Sequence, residues 1–125
     1  MREIKFRGLL QAGFFIYGSY ATDGKDYHSI LRQDPLNAEG MLNTPIIADT
    51  LGQFTGLQDK DGVDIYEGDI VKIRSASHKI IWESYFAQFN LQNVKSGIIS
   101  EIYRDVLSEE SILIGNIHQN PELIK

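Results

Sequence analysis

Apolar and polar positions alternate with period two at several places along the chain, the pattern of strands that set one face in a core and the other in water. Ile4 and Phe6 alternate with Glu3, Lys5 and Arg7, and Gly8 reads as the end of that strand. Phe14-Phe15-Ile16-Tyr17 is a second apolar run, aromatic and β-branched, closed by Gly18-Ser19. A further strand is expected in the Tyr20 to Leu31 region, with Asp23-Gly24 as its turn. Residues 33–43 are polar, contain Pro35 and Gly40 and lack a period, which reads as a long loop. Pro45-Ile46-Ile47-Ala48 reads as a short strand.

The patterning is densest from Gln53 to Val71. Asp59-Lys60-Asp61-Gly62 is a turn signal, since Asp starts a turn and Gly supplies positive φ. Glu67-Gly68-Asp69 marks a second reversal, and Ser75-Ala76-Ser77-His78 a third. Segment 53–92 is therefore expected to be an antiparallel meander without helix. Ile80-Ile81-Trp82 and Tyr85 to Leu91 read as two strands or one long bent one. Ile98, Ile99, Ile102, Tyr103, Val106 and Leu107 recur near helical spacing, which predicts an amphipathic helix across 98–107. Ile112 to Ile117 is a strand, and Asn120-Pro121 reads as an N-cap with proline at the first helical position.

Three segments carry a resemblance. The run Gln53-Phe54-Thr55-Gly56-Leu57-Gln58-Asp59, continued by Gly62 and by Ile65-Tyr66-Glu67-Gly68-Asp69-Ile70-Val71, resembles the central motif of the YopX family of phage and prophage proteins. The opening Met1-Arg2-Glu3-Ile4-Lys5-Phe6-Arg7 is similar to that family's start, and Ile114-Gly115-Asn116-Ile117 with Asn120-Pro121-Glu122-Leu123-Ile124 to its close. Tyr-Glu-Gly-Asp-Ile-Val also resembles the G-D-x-V strand start of SH3-like barrels. The resemblance implies a mainly β protein. Its C-terminal part, 51–125, would be a small SH3-like barrel. Residues 1–50 would be a β-rich extension packed on it, with one or two short helices in all. The resemblance implies phage or prophage origin and no established chemistry.

Composition narrows the function classes. A chain of 125 residues fits one domain with a self-sufficient core. It has no cysteine, so disulfides and thiolate metal sites are excluded. No apolar run approaches a membrane span, and the alternating N-terminus lacks the apolar stretch of a signal peptide, so the expected place is the cytoplasm of a bacterial host cell. The net charge of −5 argues against duplex nucleic acid as a partner.

Candidate chemistry is sparse. Asp59, Asp61, Gly62, Asp64 and Glu67 superficially resemble a calcium loop, but the glycine falls at the fourth position instead of the sixth and strands replace the flanking helices. Turn chemistry accounts for the same residues. His28, His78 and His118 lie far apart in sequence, and no serine sits in a nucleophile motif. Glu67 and Asp69 could share a face, but Gly68 between them points to capping of backbone amides instead. No catalytic residue, metal ligand or cofactor is expected.

The feature with a functional flavour is Lys72 and Arg74, whose period-two spacing puts both on one strand face, with Lys79 extending it across a hairpin. These three form a candidate ligand or single-strand nucleic-acid face, with the aromatics of 85–89 as stacking groups. The plainer reading is that Val71 and Ile73 face the core while the cations face water. Phe14 to Tyr17 and Tyr85-Phe86 exceed what a small barrel can enclose, so a homo-oligomer is expected. The functional expectation is a non-enzymatic accessory or regulatory protein acting through protein contacts.

Overall fold

Strands dominate, as the alternation predicts. The structure is a computed structural model and describes residues 3–125; Met1 and Arg2, the first two positions of the family-like opening, lie outside the described residues. The chain divides into two units, Met1–Phe54 and Thr55–Lys125.

Unit 1 contains β1 (Phe6–Leu9), β2 (Phe15–Thr22), β3 (His28–Gln33), β4 (Met41–Pro45) and the start of β5 (Gly52–Gln58). They pair antiparallel in the order β4-β3-β2-β1-β5. Gly8 lies inside β1 instead of ending it, because its missing Cβ leaves room for the Ile46 side chain, which a β-carbon would overlap. The polar face expected at Arg7 is inverted: Arg7 is buried, its guanidinium 4.3 Å over the Phe15 ring. Gly18 does not close β2 either; the strand continues to Thr22, and Gly18 allows the carbonyl of Leu31 to approach. The strand expected at 45–48 is instead β4, earlier in the chain, followed by a 3-10 turn at Ala48–Thr50. The Thr50 hydroxyl fixes that turn, accepting the Leu9 N–H at 2.9 Å and donating to the Ile47 carbonyl at 2.6 Å.

Unit 2 takes the rest of β5, then β6 (Asp64–Tyr66), β7 (Asp69–Ile73), β8 (Ala76–Glu83), β9 (Gln88–Asn93), β10 (Ile99–Glu101), α1 (Arg104–Glu110), β11 (Ser111–Asn116) and a 3-10 turn at Pro121–Ile124. A five-stranded sheet runs β10-β9-β8-β7-β11, antiparallel throughout. β10 and β11 stand at its two ends, so among the described residues it is an open sheet, not a closed barrel. No helix falls within 53–74, but the meander is interrupted: β6 lies beside β5, and β7 beside β8 and β11.

One sheet face carries the core. Val71, Ile73, Ile80 and Leu91 cluster with Ile65 and Leu107, and Leu57, Phe89, Ile102, Val106 and Leu113 pack around them. The helix predicted across 98–107 forms later, at α1. Residues 99–101 are strand instead, because Gly97 at φ +75 closes a β9–β10 hairpin. Leu107 and Val106 of that apolar series reach the core; Ile98, Ile99 and Tyr103 stay exposed.

The motif residues act as turn locks. Buried Asp59 accepts the amide N–H of Asp61 at 2.9 Å and of Val63 at 3.0 Å on Oδ1, and of Leu113 at 2.9 Å on Oδ2, tying the turn to β11. Buried Asp69 accepts the Tyr66 N–H at 2.7 Å. Gly62 and Gly68 have φ of +81° and +91°, the left-handed region that these turns need. At the C-terminal motif, Asn120 stands at the N-cap with Pro121 behind it, but its side chain reaches back to accept the Asn116 N–H at 3.1 Å instead of capping the turn. A Cβ at Gly115 would meet Asn120 Oδ1 at 2.6 Å and Leu123 Cδ1 at 2.8 Å, so glycine lets the last turn fold onto β11.

Candidate functional site

The cations predicted from alternation separate into two groups. Lys72 is paired across β7–β8 with Ser77 and across β7–β11 with Ile112, and Lys79 with Ile70 and Gln92. Directly opposed residues share a sheet face, so Lys72 and Lys79 lie together on the face opposite Val71 and Ile73. Arg74 does not join them. β7 ends at Ile73, and Arg74 turns the chain with φ 58°. Its Nε then donates to Glu110 Oε1 at 3.0 Å and its Nη2 to Glu110 Oε2 at 3.4 Å, at the end of α1. The predicted turn at 75–78 correspondingly shifts to Arg74-Ser75, and Ala76, Ser77 and His78 belong to β8. The C-terminal turn covers part of the Lys72 face: Gly115, beside Leu123, is paired with Ile70, which is fully buried.

The second concentration is aromatic. Tyr85 and Phe86 fall in the turn joining β8 to β9 instead of in a strand, and Ala87 behind them has φ 52°. They are 85% and 65% exposed, and Trp82 is 46% exposed. Tyr85 meets Phe86 edge-on with centroids 4.9 Å apart, and Trp82 meets Phe89 edge-on at 5.0 Å. Trp82 and Phe89 sit opposite one another, two residues beyond the core pair Ile80 and Leu91. The core face of the hairpin thus ends in an aromatic ledge. In unit 1, Phe14 and Tyr17 are also exposed.

The histidines do not converge. His28 Nδ1 bonds the Tyr20 hydroxyl at 2.6 Å, His118 lies beside Gly68, and His78 is half-buried in β8. Burial lowers the His78 pKa below its usual value, and the nearby Ala76 backbone offsets this only in part. Among the described residues no group of three His, Cys, Asp or Glu side chains could hold a metal ion. Both Asp59 oxygens of the superficial calcium loop are occupied by amide donors. No helix among the described residues is long and apolar enough to cross a membrane.

Comparison with known proteins agrees with the motifs. A solved structure, protein EF1440 from Enterococcus faecalis, is similar over 100% of this chain and 100% of its own, with a TM-score of 0.67 and 20% sequence identity, which shows a shared fold. No curated protein matches the chain. The profile described as YopX protein matches residues 12–125, and the chain belongs to the YopX family.

Proposed function

We propose that this is a non-enzymatic accessory or regulatory protein of phage or prophage origin that works through protein contacts as a homo-oligomer in the bacterial cytoplasm. The observation that carries the reading is the aromatic ledge, with Tyr85 and Phe86 held out on a hairpin turn. Exposed aromatic clusters are the usual anchors of protein interfaces, and a second copy is the commonest partner to cover them. The edge strand β4 offers a further route, by pairing between chains. We read unit 2 as SH3-like in strand order: a four-strand meander whose fifth strand returns beside the first after a helical turn supports this. Light scattering at tens of micromolar protein is expected to give a multiple of the chain mass, with a contact burying at least about 1,000 Å². The double substitution Y85D/F86S is expected to lower that mass while keeping the fold. A strictly monomeric wild-type mass overturns the reading.

A second reading, a single-strand nucleic-acid module, is favoured by the register that sets Lys72 and Lys79 on one face. It calls for salt-sensitive retardation of single strands, lost in K72E/K79E; no binding at low salt removes it. Duplex DNA is not expected to bind at physiological salt, given the acidic surplus.

A further inference from the structure

Unit 2 has a cavity of about 690 Å³ where the β7–β8 turn, the β9–β10 turn and the C-terminal turn meet. That is within the range of small-molecule sites, about 300–1,000 Å³. Its walls are fixed. Asn93 Oδ1 accepts the N–H of Lys95 and of Ser96 at 2.9 Å each, and Gly97 donates to the Asn93 carbonyl at 2.8 Å. Val94 donates to the Ser77 carbonyl at 2.9 Å, joining the two turns. The third wall, with Leu123 and Lys125, is held by the close approach of the last turn to Gly115.

The lining has a definite chemistry. Lys95 and Lys125 contribute their side chains to it and no Asp or Glu does, although the chain as a whole carries a net charge of −5. Neither ammonium forms an ion pair with a described residue, and the hydroxyls of Ser75 and Ser77 have no hydrogen-bond partner among the described residues. Lys72, paired opposite Ser77, adds a third cation close by. Ala76, Val94 and Leu123 supply an apolar part. Uncommitted cations and hydroxyls beside an apolar wall suit a ligand with a charged head and an apolar body.

We propose that this cavity binds a small organic anion. Its phosphate or carboxylate is held by Lys95, Lys125, Ser75 and Ser77, and its planar or apolar body rests on Val94 and Leu123. The proposal is independent of self-association, since it concerns surface away from the aromatic ledge in sequence and rests on other residues.

The test is titration of the ¹⁵N-labelled full chain with four probes: AMP, benzoate, adenosine and inorganic phosphate. AMP or benzoate is expected to shift the amides of Ser75 to Ser77 and of Asn93 to Ser96. Adenosine, lacking the charge, is expected to bind at least about tenfold more weakly, the scale of a lost charge-assisted bond, and phosphate, lacking the body, to bind more weakly through the lost apolar contact with Val94 and Leu123. Response to AMP alone assigns a phosphate head, to benzoate alone a carboxylate head. K95E/K125E is expected to weaken binding by a similar factor or more. If that variant fails to fold, K125Q carries the same test, with a smaller loss expected. Failure of both anions to move these amides at millimolar concentration overturns the site. So does adenosine binding as tightly as AMP, or undiminished binding by the folded variant.

Discussion

The two units differ in how their buried apolar side chains are gathered. Unit 2 has six buried apolar residues in one mutual cluster, backed by five partly buried ones, and buries Asp59, Asp69, Asn90, Ser111 and Asn116 besides. Unit 1 buries Ile16, Ile30 and Phe54 alongside Arg7, Ser29 and Thr50. Where unit 2 stacks aliphatic side chains, unit 1 sets cations on aromatic faces: Lys5 lies 4.5 Å over Phe54 and Arg7 4.3 Å over Phe15. Aliphatic burial removes more surface from water per residue than a cation on a ring, whose attraction is about 0.5–2 kcal/mol. The same period-two alternation thus serves two kinds of β structure. The difference teaches where each unit is held, and it predicts that unit 1 opens locally more readily than unit 2.

The sharpest way to break this comparison is to truncate one fully buried aliphatic in each unit. Leu107→Ala leaves a hole at the centre of the cluster and is expected to cost about 3–4 kcal/mol in urea denaturation. Ile30→Ala, in the thinner core, is expected to cost nearer 2 kcal/mol. Equal losses would mean that unit 1 is packed as unit 2 is. Next in size is Asp59→Ala, which strands three amides at once and is expected to cost about 2–3 kcal/mol. Thr50→Ala, its counterpart in unit 1, strands the single Leu9 amide and is expected to cost about 1 kcal/mol. Smaller again, Gly62→Ala and Gly68→Ala should each cost on the order of 1 kcal/mol through their positive φ. A melting temperature unchanged in both would remove the turn argument.

Legibility depends on whether a residue acts locally or at a distance. The turn at 59–62 is legible because Asp59 Oδ1 and Gly62 act within a few residues of where they stand, whereas the bond of Asp59 Oδ2 to the Leu113 amide is not. In unit 1 Gly8 and Gly18 read as strand ends, when each admits a distant neighbour, Ile46 or the Leu31 carbonyl. Sequence shows a glycine but not whether it bends the chain or makes room. Arg74 reads as strand for a related reason: alternation carries on past Ile73, and only the left-handed turn and the Glu110 partner reveal the strand's end. Lys95 and Lys125 carried no local signal, since their cavity joins turns from different parts of the chain. The Tyr85-Phe86 pair was visible as surplus aromatic content, but its place on a turn was not, because those residues favour strands by propensity.

The smallest expected effect is a difference in how the units meet acid. His78 in unit 2 pairs across the sheet with Val71 and Asn93, on the core face, and burial lowers its pKa below 6.5. Between the folded pKa and 6.5 the unfolded chain binds the proton and the folded chain does not, so stability rises with pH across that window. Unit 2 should therefore lose stability as pH falls below about 6.5, levelling off once the folded pKa is passed. In unit 1 the carboxylate of Asp23 is held below 3.8 by the amides of Lys25 and then Tyr27. Its contribution is present above 3.8 and lost only as pH falls through the folded value. Amide exchange followed from neutral pH to mild acid should then show protection falling first in β7, β8 and β9. His78→Gln should remove that early loss and leave unit 1 unaffected. Protection falling first in β2 and β3, or an unaltered profile in the His78→Gln chain, would show that the acid-sensitive step lies elsewhere.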